Sequence, residues 1–99
     1  MKVLFITKRQ PGVTTDMIVA AREEEVRAVW RLVREGTLRE IHISRERPAV
    51  VGLLECPSVA DARRILETLP MARKRLIDFD LLALEPYDQF ELLFRDGGP

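Results

Sequence analysis

The distribution of apolar residues along the chain predicts six regular elements. Four stretches are rich in apolar and β-branched residues and have the length of strands, and two longer stretches between them consist of good helix formers. In chain order the pattern predicts a strand at 3–7, a helix at 17–35, strands at 37–45 and 49–56, a helix at 59–69 and a strand at 76–84. The second strand alternates clearly, with Ile41 and Ile43 on one face and Glu40, His42 and Ser44 on the other.

Residues with strong backbone preferences mark the ends of these elements. Pro11 and Gly12 stop the first strand, and Gly36 supplies the C-terminal cap of the first helix. The first helix is preceded by residues whose side-chain oxygens can cap it, namely Thr14, Thr15 and Asp16. Pro70 is predicted to close the second helix. Residues 87–94 place apolar side chains at helical spacing, which predicts a C-terminal helical arm.

The order βαββαβ is that of the ferredoxin-like fold, an α+β arrangement in which two helices cover one face of a four-stranded antiparallel sheet. We expect one domain spanning residues 1–99, since the length suits one hydrophobic core and no linker interrupts the pattern. The strands then lie in the order four, one, three, two, with strands two and four at the edges. Three strands carry apolar residues on both faces, whereas a solvated face would be polar. The sequence therefore predicts a homodimer or a larger homo-oligomer.

Charge balance and a scarcity of metal ligands narrow the range of functions. Sixteen Lys and Arg residues balance sixteen Asp and Glu residues, so that no global field favours a nucleic acid as partner. One cysteine, Cys56, and one histidine, His42, do not make the ligand set of a structural metal site. The glycines show no nucleotide-binding spacing, and no apolar run has the length of a membrane span. We therefore expect a cytoplasmic protein with no cofactor, metal or membrane partner.

Two charged residues lie inside the apolar surface of the first helix. At about 100° per residue, its apolar residues span an arc of roughly 200°, which is wide for a helix with one buried face. Arg22 and Glu25 fall inside this arc, three residues apart, where they can face one another. One interpretation is an ion pair, or an arc composed of two stripes that face different neighbours. The other places Glu25 and Arg22 at the mouth of a pocket, as general base and anion clamp.

Polar residues on the two edge strands form a second group of candidates. Histidine is the side chain suited to proton shuttling at physiological pH, and His42 shares a strand face with Glu40 and Ser44. A lone histidine on an edge strand is, however, commonly just a half-exposed polar residue. Asp78 and Asp80 share one face of the fourth strand, where paired carboxylates serve as acid and base or protect the edge against aggregation. If two subunits meet edge to edge, Arg39 or His42 of one chain approaches these aspartates of the other.

Several short segments follow one another in a fixed order from the end of the first helix to the fourth strand. They are Arg34-Glu35-Gly36-Thr37, Arg39, Pro57-Ser58-Val59, Leu69-Pro70 and Asp78. In this order and spacing the chain resembles the muconolactone isomerase family, over residues 16–84.

The resemblance implies a fold, an assembly and an activity. It implies a dimeric α/β barrel of ferredoxin-like subunits, often assembled into rings, and cofactor-free isomerisation of a small unsaturated lactone acid by proton transfer. By position, Arg22 corresponds to the family's basic residue in the first helix, and Glu24 and Glu25 correspond to its acidic pair. Arg39 corresponds to the family's arginine in the second strand, and Asp78 and Asp80 correspond to its acids in the fourth strand. The predicted catalytic residues are Glu25 and His42, and the predicted substrate-binding residues are Arg22, Arg39, Asp78 and Asp80.

The chain departs from the family pattern around the expected pocket. Glu40 stands where the family has a histidine, and His42 follows two residues later on the same strand face. We therefore expect proton transfer on a small carboxylated or lactone-like metabolite, with the exact reaction open. The alternative is a non-catalytic oligomerisation or ligand-binding module, in which Arg22 and Glu25 pair with each other.

Overall fold

The computed structural model describes residues 1–95 and residue 97, and every predicted element is present among them. In chain order the elements are β1 (Lys2–Arg9), α1 (Thr15–Arg34), β2 (Leu38–Ser44), β3 (Ala49–Glu55), α2 (Val59–Glu67), α3 (Pro70–Arg73), β4 (Ile77–Leu84) and a C-terminal 3₁₀ helix (Asp88–Leu93). The ends differ from the prediction by at most two residues, except that α3 is additional. Within the described part of the chain, no helix combines the length and the apolar character that crossing a lipid bilayer requires.

The four strands form one antiparallel sheet in the order β2-β3-β1-β4, which confirms the predicted ferredoxin-like topology. In the central register Phe5 lies opposite Gly52 on β3 and Leu81 on β4, and Leu4 lies opposite Leu53 and Leu82. Phe5 faces the helices and Leu4 faces the other side, because successive side chains alternate across a strand.

Local chemistry at both ends of α1 explains where this helix begins and ends. The Thr14 hydroxyl accepts a hydrogen bond from the Met17 backbone N–H, which satisfies one of the free donors of the first turn. At the other end Gly36 follows the C-cap residue Glu35 with φ of +81°. Glycine adopts this left-handed conformation without the steric cost that a Cβ would bring.

The prediction that Pro70 closes the second helix is wrong, because Pro70 begins α3. The helix α2 ends at Glu67 with Thr68 as its C-cap, and α3 then starts at Pro70. Proline suits this position, since the first residue of a helix needs no backbone N–H and has a backbone angle that the ring already fixes. The short helix brings Met71 into a small buried cluster with Ala21 and Leu76.

The main core lies between the helices and one face of the sheet. It contains Val3, Phe5, Leu38, Leu54, Cys56, Ala62, Leu66, Leu69 and Phe79. The rings of Phe5 and Phe79 meet edge to face, with 5.9 Å between their centroids. The opposite face carries the apolar side chains of Leu4, Leu53 and Leu82, and Leu82 is 59% exposed. Within residues 1–95 and 97, no helix lies over this second face, here called the open sheet face.

The wide apolar arc of α1 consists of two stripes that face different sides. One stripe turns toward the core through Ala28, Val29, Leu32 and Val33. The other stripe, Val19, Val26 and Trp30, is exposed, with Trp30 at 59%. The arc is therefore composed of two stripes that face different surroundings, as one of the interpretations of the sequence proposed.

Candidate active site

A cavity of about 1160 Å³ lies between α1, the helix-covered face of the sheet and the β2–β3 hairpin. Ile18, Val26 and Val29 of α1 form one wall, and Phe5 and Phe79 of the sheet form the floor. Apolar side chains predominate, and a few polar groups project from the walls. An apolar concavity with few, well-placed polar groups is typical of a site for a small molecule.

Glu25 is the only charged side chain that is buried among the described residues, with 9% of its surface exposed. It lines the cavity, and its Oε1 accepts a hydrogen bond of 2.8 Å from the backbone N–H of Met71. Burial raises the pKa of the Glu25 carboxyl above its usual range, because desolvation penalises the charged form, and the Met71 N–H offsets part of that effect. Glu25 therefore has the environment of a carboxylate that accepts a proton readily.

The position of Glu25 follows from the packing of α1 against α3. Ala21 lies one turn before Glu25 on the same side of α1 and is 2% exposed, in one cluster with Met71. An alanine at this position leaves room for the α3 backbone to approach, so that the N–H of Met71 reaches the carboxylate. Pro70, directly before Met71, fixes the start of this short helix.

Arg22 lines the same cavity as Glu25, but its side chain is exposed. Among the described residues no ion pair joins Arg22 to Glu25, so the interpretation of the two as a mutual pair does not describe this structure. Arg9 and Arg45 also line the cavity and are exposed. Arg9 donates a 3.3 Å hydrogen bond to the hydroxyl of Thr15 at the start of α1. Three guanidinium groups thus surround a cavity whose wall carries one buried carboxylate.

His42 lies on edge strand β2 beside the cavity, but its register opposite Val51 turns its side chain toward the open sheet face. Its Nε2 lies 3.2 Å from Oε1 of Glu40, and both side chains are exposed. Arg39 does not belong to the lining. It lies between Leu38 and Glu40, where the register between β2 and β3 shifts by a bulge. Of the two predicted residues on β2, only His42 belongs to the lining, and its side chain turns to the sheet face opposite the one that Glu25 covers.

Asp78 and Asp80 lie outside the cavity lining and bind cations of their own chain. Asp78 Oδ1 accepts hydrogen bonds from Arg63 at 3.4 Å and from the backbone N–H of Phe79 at 2.8 Å. Asp80 accepts a 2.8 Å bond from Lys8, and this bond holds the pKa of the Asp80 carboxyl below its usual range. Across residues 1–95 and 97, no three His, Cys, Asp or Glu side chains lie together as metal ligands would.

Three groups at the cavity were not identified from the sequence. The N–H of Met71 belongs to the backbone, and a backbone donor leaves no sequence signal beyond Pro70, which can begin a helix as well as end one. Arg9 and Arg45 adjoin predicted turns, and such arginines are usually solvated. Only the fold brings them to the same cavity as Glu25.

Comparison with known proteins supports the fold and leaves the family open. No family model matches the chain, and no curated protein matches it. The chain is similar to the crystal structure of muconolactone isomerase at 3.3 Å resolution, with a TM-score of 0.64 and 24% sequence identity. The match covers 88% of this chain and 93% of that chain. At this level of sequence identity the structural match shows a shared fold and no more. This fold is the one that the sequence resemblance implied.

Proposed function

We propose that this protein is a homo-oligomeric isomerase that transfers a proton, without a cofactor, within a small unsaturated carboxylic acid or lactone. The observation that carries the proposal is the buried carboxylate of Glu25 in the wall of an apolar cavity, with a raised pKa and no cation bound to it among the described residues. The fold shared with muconolactone isomerase supports the same class of reaction.

Glu25 acts as the base in this proposal. Its carboxylate removes a proton from a carbon that a neighbouring carbonyl acidifies, and the electron pair of the broken C–H bond delocalises into the conjugated system. The resulting carboxylic acid then returns the proton to another carbon of the same system, so that the product is an isomer of the substrate. The apolar surroundings favour the neutral form of Glu25 between the two steps, as its raised pKa indicates.

The cations around the cavity suit a substrate that carries a carboxylate. Arg22, Arg9 and Arg45 line the cavity together with Glu25, and a guanidinium binds a carboxylate through two parallel hydrogen bonds. Such a clamp holds the substrate in a fixed orientation toward the base. His42, whose side chain lies on the open sheet face, is proposed as a second proton carrier only where a second subunit brings it to a cavity. Arg39, Asp78 and Asp80 are proposed to contact substrate only where a second subunit brings them to the cavity.

The open sheet face supports the homo-oligomeric part of the proposal. Leu4, Leu53 and Leu82 lie side by side on it in the central register of the sheet. A contiguous apolar patch on a sheet is stabilised when another surface covers it. A second copy placed face to face gives the paired arrangement that the sequence resemblance implies.

The test is a turnover screen in which unsaturated lactones and enol acids are followed by ultraviolet absorbance as the double bond moves. For a substrate that turns over, we expect Glu25→Gln to lower kcat by about 10² to 10⁴-fold, because general-base catalysis contributes that much. Glu67→Gln is the matched control, since Glu67 is an exposed glutamate of α2 that does not line the cavity.

The pH profile gives a second readout of the same base. The acidic limb of kcat/KM in the wild type should lie above the usual pKa of a glutamate, and it should vanish in the Glu25→Gln variant. A Glu25→Gln variant as fast as the wild type would contradict the assignment of the base. Absence of turnover throughout the panel would favour the non-catalytic ligand-binding module.

A further inference from the structure

The outward stripe of α1 is an apolar surface with basic flanks. Val19, Val26 and Trp30 recur at a spacing of seven and four residues, which places them on one side of the helix. Arg22 flanks this stripe on one side, and Arg34 and Arg27 flank it on the other. Arg27 is paired with Glu23 on the same side at 2.9 Å, so the net positive charge of the flanks comes from Arg22 and Arg34. A shallow groove follows part of the stripe, lined by Val19, Arg22, Glu23, Val26 and Arg27. An exposed tryptophan between arginines is a surface typical of protein interfaces.

The C-terminal segment of the chain, here called the arm (residues 85–94), extends away from the body of the protein. The described structure measures 59 × 29 × 20 Å with a radius of gyration of 16.8 Å. A compact domain of about 100 residues has a radius of gyration of about 13 Å. In the described residues, the hydrogen bonds of the arm from Tyr87 onward stay inside it, such as those of Gln89 to Asp88 and of Phe94 to Glu91. The core of its own chain therefore does not anchor the arm.

The arm has an apolar face and an acidic edge. Residues three apart eclipse one another in a 3₁₀ helix, so that Tyr87, Phe90 and Leu93 share one face. The rings of Tyr87 and Phe90 pack edge to face at 4.9 Å between centroids, yet Phe90 is 62% exposed. Glu85, Asp88 and Glu91 give the arm three negative charges, and residues 85–94 include no lysine or arginine.

We propose that the arm of one copy docks on the outward stripe of α1 of a second copy. Tyr87 and Phe90 then pack on Trp30 and Val26, and Asp88 and Glu91 meet the arginines that flank the stripe. Two observations together support this pairing: both surfaces are apolar and exposed in the single chain, and their charges are opposite. Docking buries both surfaces at once, which stabilises the complex through the hydrophobic effect.

A second copy is the occupant that this geometry favours. Each chain carries one arm and one stripe, so a reciprocal exchange between two copies uses every arm and every stripe. An exchange that is not reciprocal continues from copy to copy and closes as a ring when the rotation allows it. The proposal concerns the outer surface of α1, which shares Val26 and Arg22 with the cavity wall. It does not depend on catalysis by Glu25, nor on pairing through the open sheet face.

Cysteine cross-linking between two different variants tests the contact. Trp30→Cys and Phe90→Cys are introduced into separate chains that both carry Cys56→Ala, and the two chains are co-expressed and oxidised. Trp30 and Phe90 are exposed, so neither substitution disturbs the core. We expect a disulfide between the W30C chain and the F90C chain to be the dominant product, identified by mass spectrometry of the linked peptides.

In the control, the cysteine is placed at an exposed apolar position of the cavity instead of at the stripe. Ile43 is 64% exposed and lines the cavity, so an I43C chain co-expressed with the F90C chain should remain unlinked. A dominant link between I43C and F90C would overturn the proposal, because the arm would then close the cavity instead. Links only between two W30C chains or only between two F90C chains would overturn the proposal and indicate that like surfaces pair. The absence of any disulfide between chains would also overturn it.

Discussion

At the scale of single residues, Glu25 combines a buried carboxylate with a single neutral hydrogen-bond donor. A buried carboxylate is ordinarily stabilised by a cation or by several N–H groups, and here the Met71 N–H is its hydrogen-bond partner among the described residues. The charged form of Glu25 therefore destabilises the native state relative to the unfolded chain, in which water surrounds the same group. Functional groups are often retained at such a cost to stability.

This cost predicts how stability depends on pH. Because the pKa of Glu25 is higher in the native state than in the unfolded state, the native state binds the proton more tightly. The contribution of Glu25 to the free energy of unfolding is then largest below the unfolded pKa and falls as pH rises through the folded pKa. A glutamine side chain at this position does not titrate but keeps a carbonyl oxygen for the Met71 N–H. We expect Glu25→Gln to have a higher Tm than the wild type at about pH 7 and a similar Tm at about pH 4.

Thermal unfolding by circular dichroism at both pH values measures this difference. Asp80→Asn is the comparison, because the bond to Lys8 lowers the pKa of Asp80. The stabilising effect of that aspartate is present above its unfolded pKa and is lost as pH falls through its folded pKa. At neutral pH the change in Tm relative to the wild type should therefore be positive for Glu25→Gln and negative for Asp80→Asn. A Glu25→Gln variant that is less stable than the wild type at neutral pH would show that Glu25 has a structural role instead.

At the scale of elements, the pairing of β1 with β3 depends on a glycine. Gly52 lies opposite Phe5, and a Cβ at Gly52 would overlap the far edge of the Phe5 ring and come within 3.0 Å of the carbonyl oxygen of Glu40. The ring cannot move away freely, because it also packs against Phe79 in the core. The floor of the cavity, which Phe5 and Phe79 form, thus requires the absence of a side chain on the neighbouring strand.

We expect Gly52→Ala to destabilise the protein by about 1 to 3 kcal/mol, as overpacking of a core does. Denaturant unfolding gives this free energy directly. The double variant Phe5→Leu, Gly52→Ala removes the overlapping ring atoms, so its loss of stability should be smaller than the sum of the two single losses. Additive losses would show that the overlap with the ring is not the cause.

At the scale of the whole molecule, the described residues include two exposed apolar surfaces on the folded body, apart from the cavity and the arm. The open sheet face lies opposite the helices, and the outward stripe of α1 lies on the outer side of the helix layer. In the proposed assembly each surface would form a separate contact, so that two such surfaces on a chain of 99 residues allow an oligomer larger than a dimer. A small domain gains stability from assembly, because burial on folding alone is modest at this size.

Leu82→Lys tests the open sheet face. Leu82 is already exposed in the single chain, so the subunit should lose no more than about 0.5 kcal/mol of stability. In the proposed face-to-face pair the lysine charge would be buried, so the variant should not form this pair. Light scattering after size-exclusion chromatography should show a mass reduced by half or more. Ile43→Lys is the matched control, because Ile43 is equally apolar and exposed but faces the cavity side. An unchanged mass for Leu82→Lys would contradict pairing through this face.

The sequence by itself determined the order of the elements, the sheet topology and the apolar character of both sheet faces. These properties follow from local rules, since strand alternation, helix capping at Thr14 and the turn at Gly36 depend on residues close together in the chain. Helical spacing, which is also local, places Arg22 and Glu25 inside the apolar arc of α1. For this reason helical periodicity is sufficient to select Glu25 as a candidate.

Tertiary structure alone decided what surrounds those residues. Helical spacing allowed Arg22 and Glu25 to pair, but the approach of α3 gave Glu25 the N–H of Met71 and left Arg22 exposed at the cavity. Asp78 and Asp80 were candidates by spacing, and their own partners, Arg63 and Lys8, come from α2 and β1. The physical reason is the same in each case: burial and partners are set by contacts between elements distant in the chain, and local spacing limits only which side each residue faces.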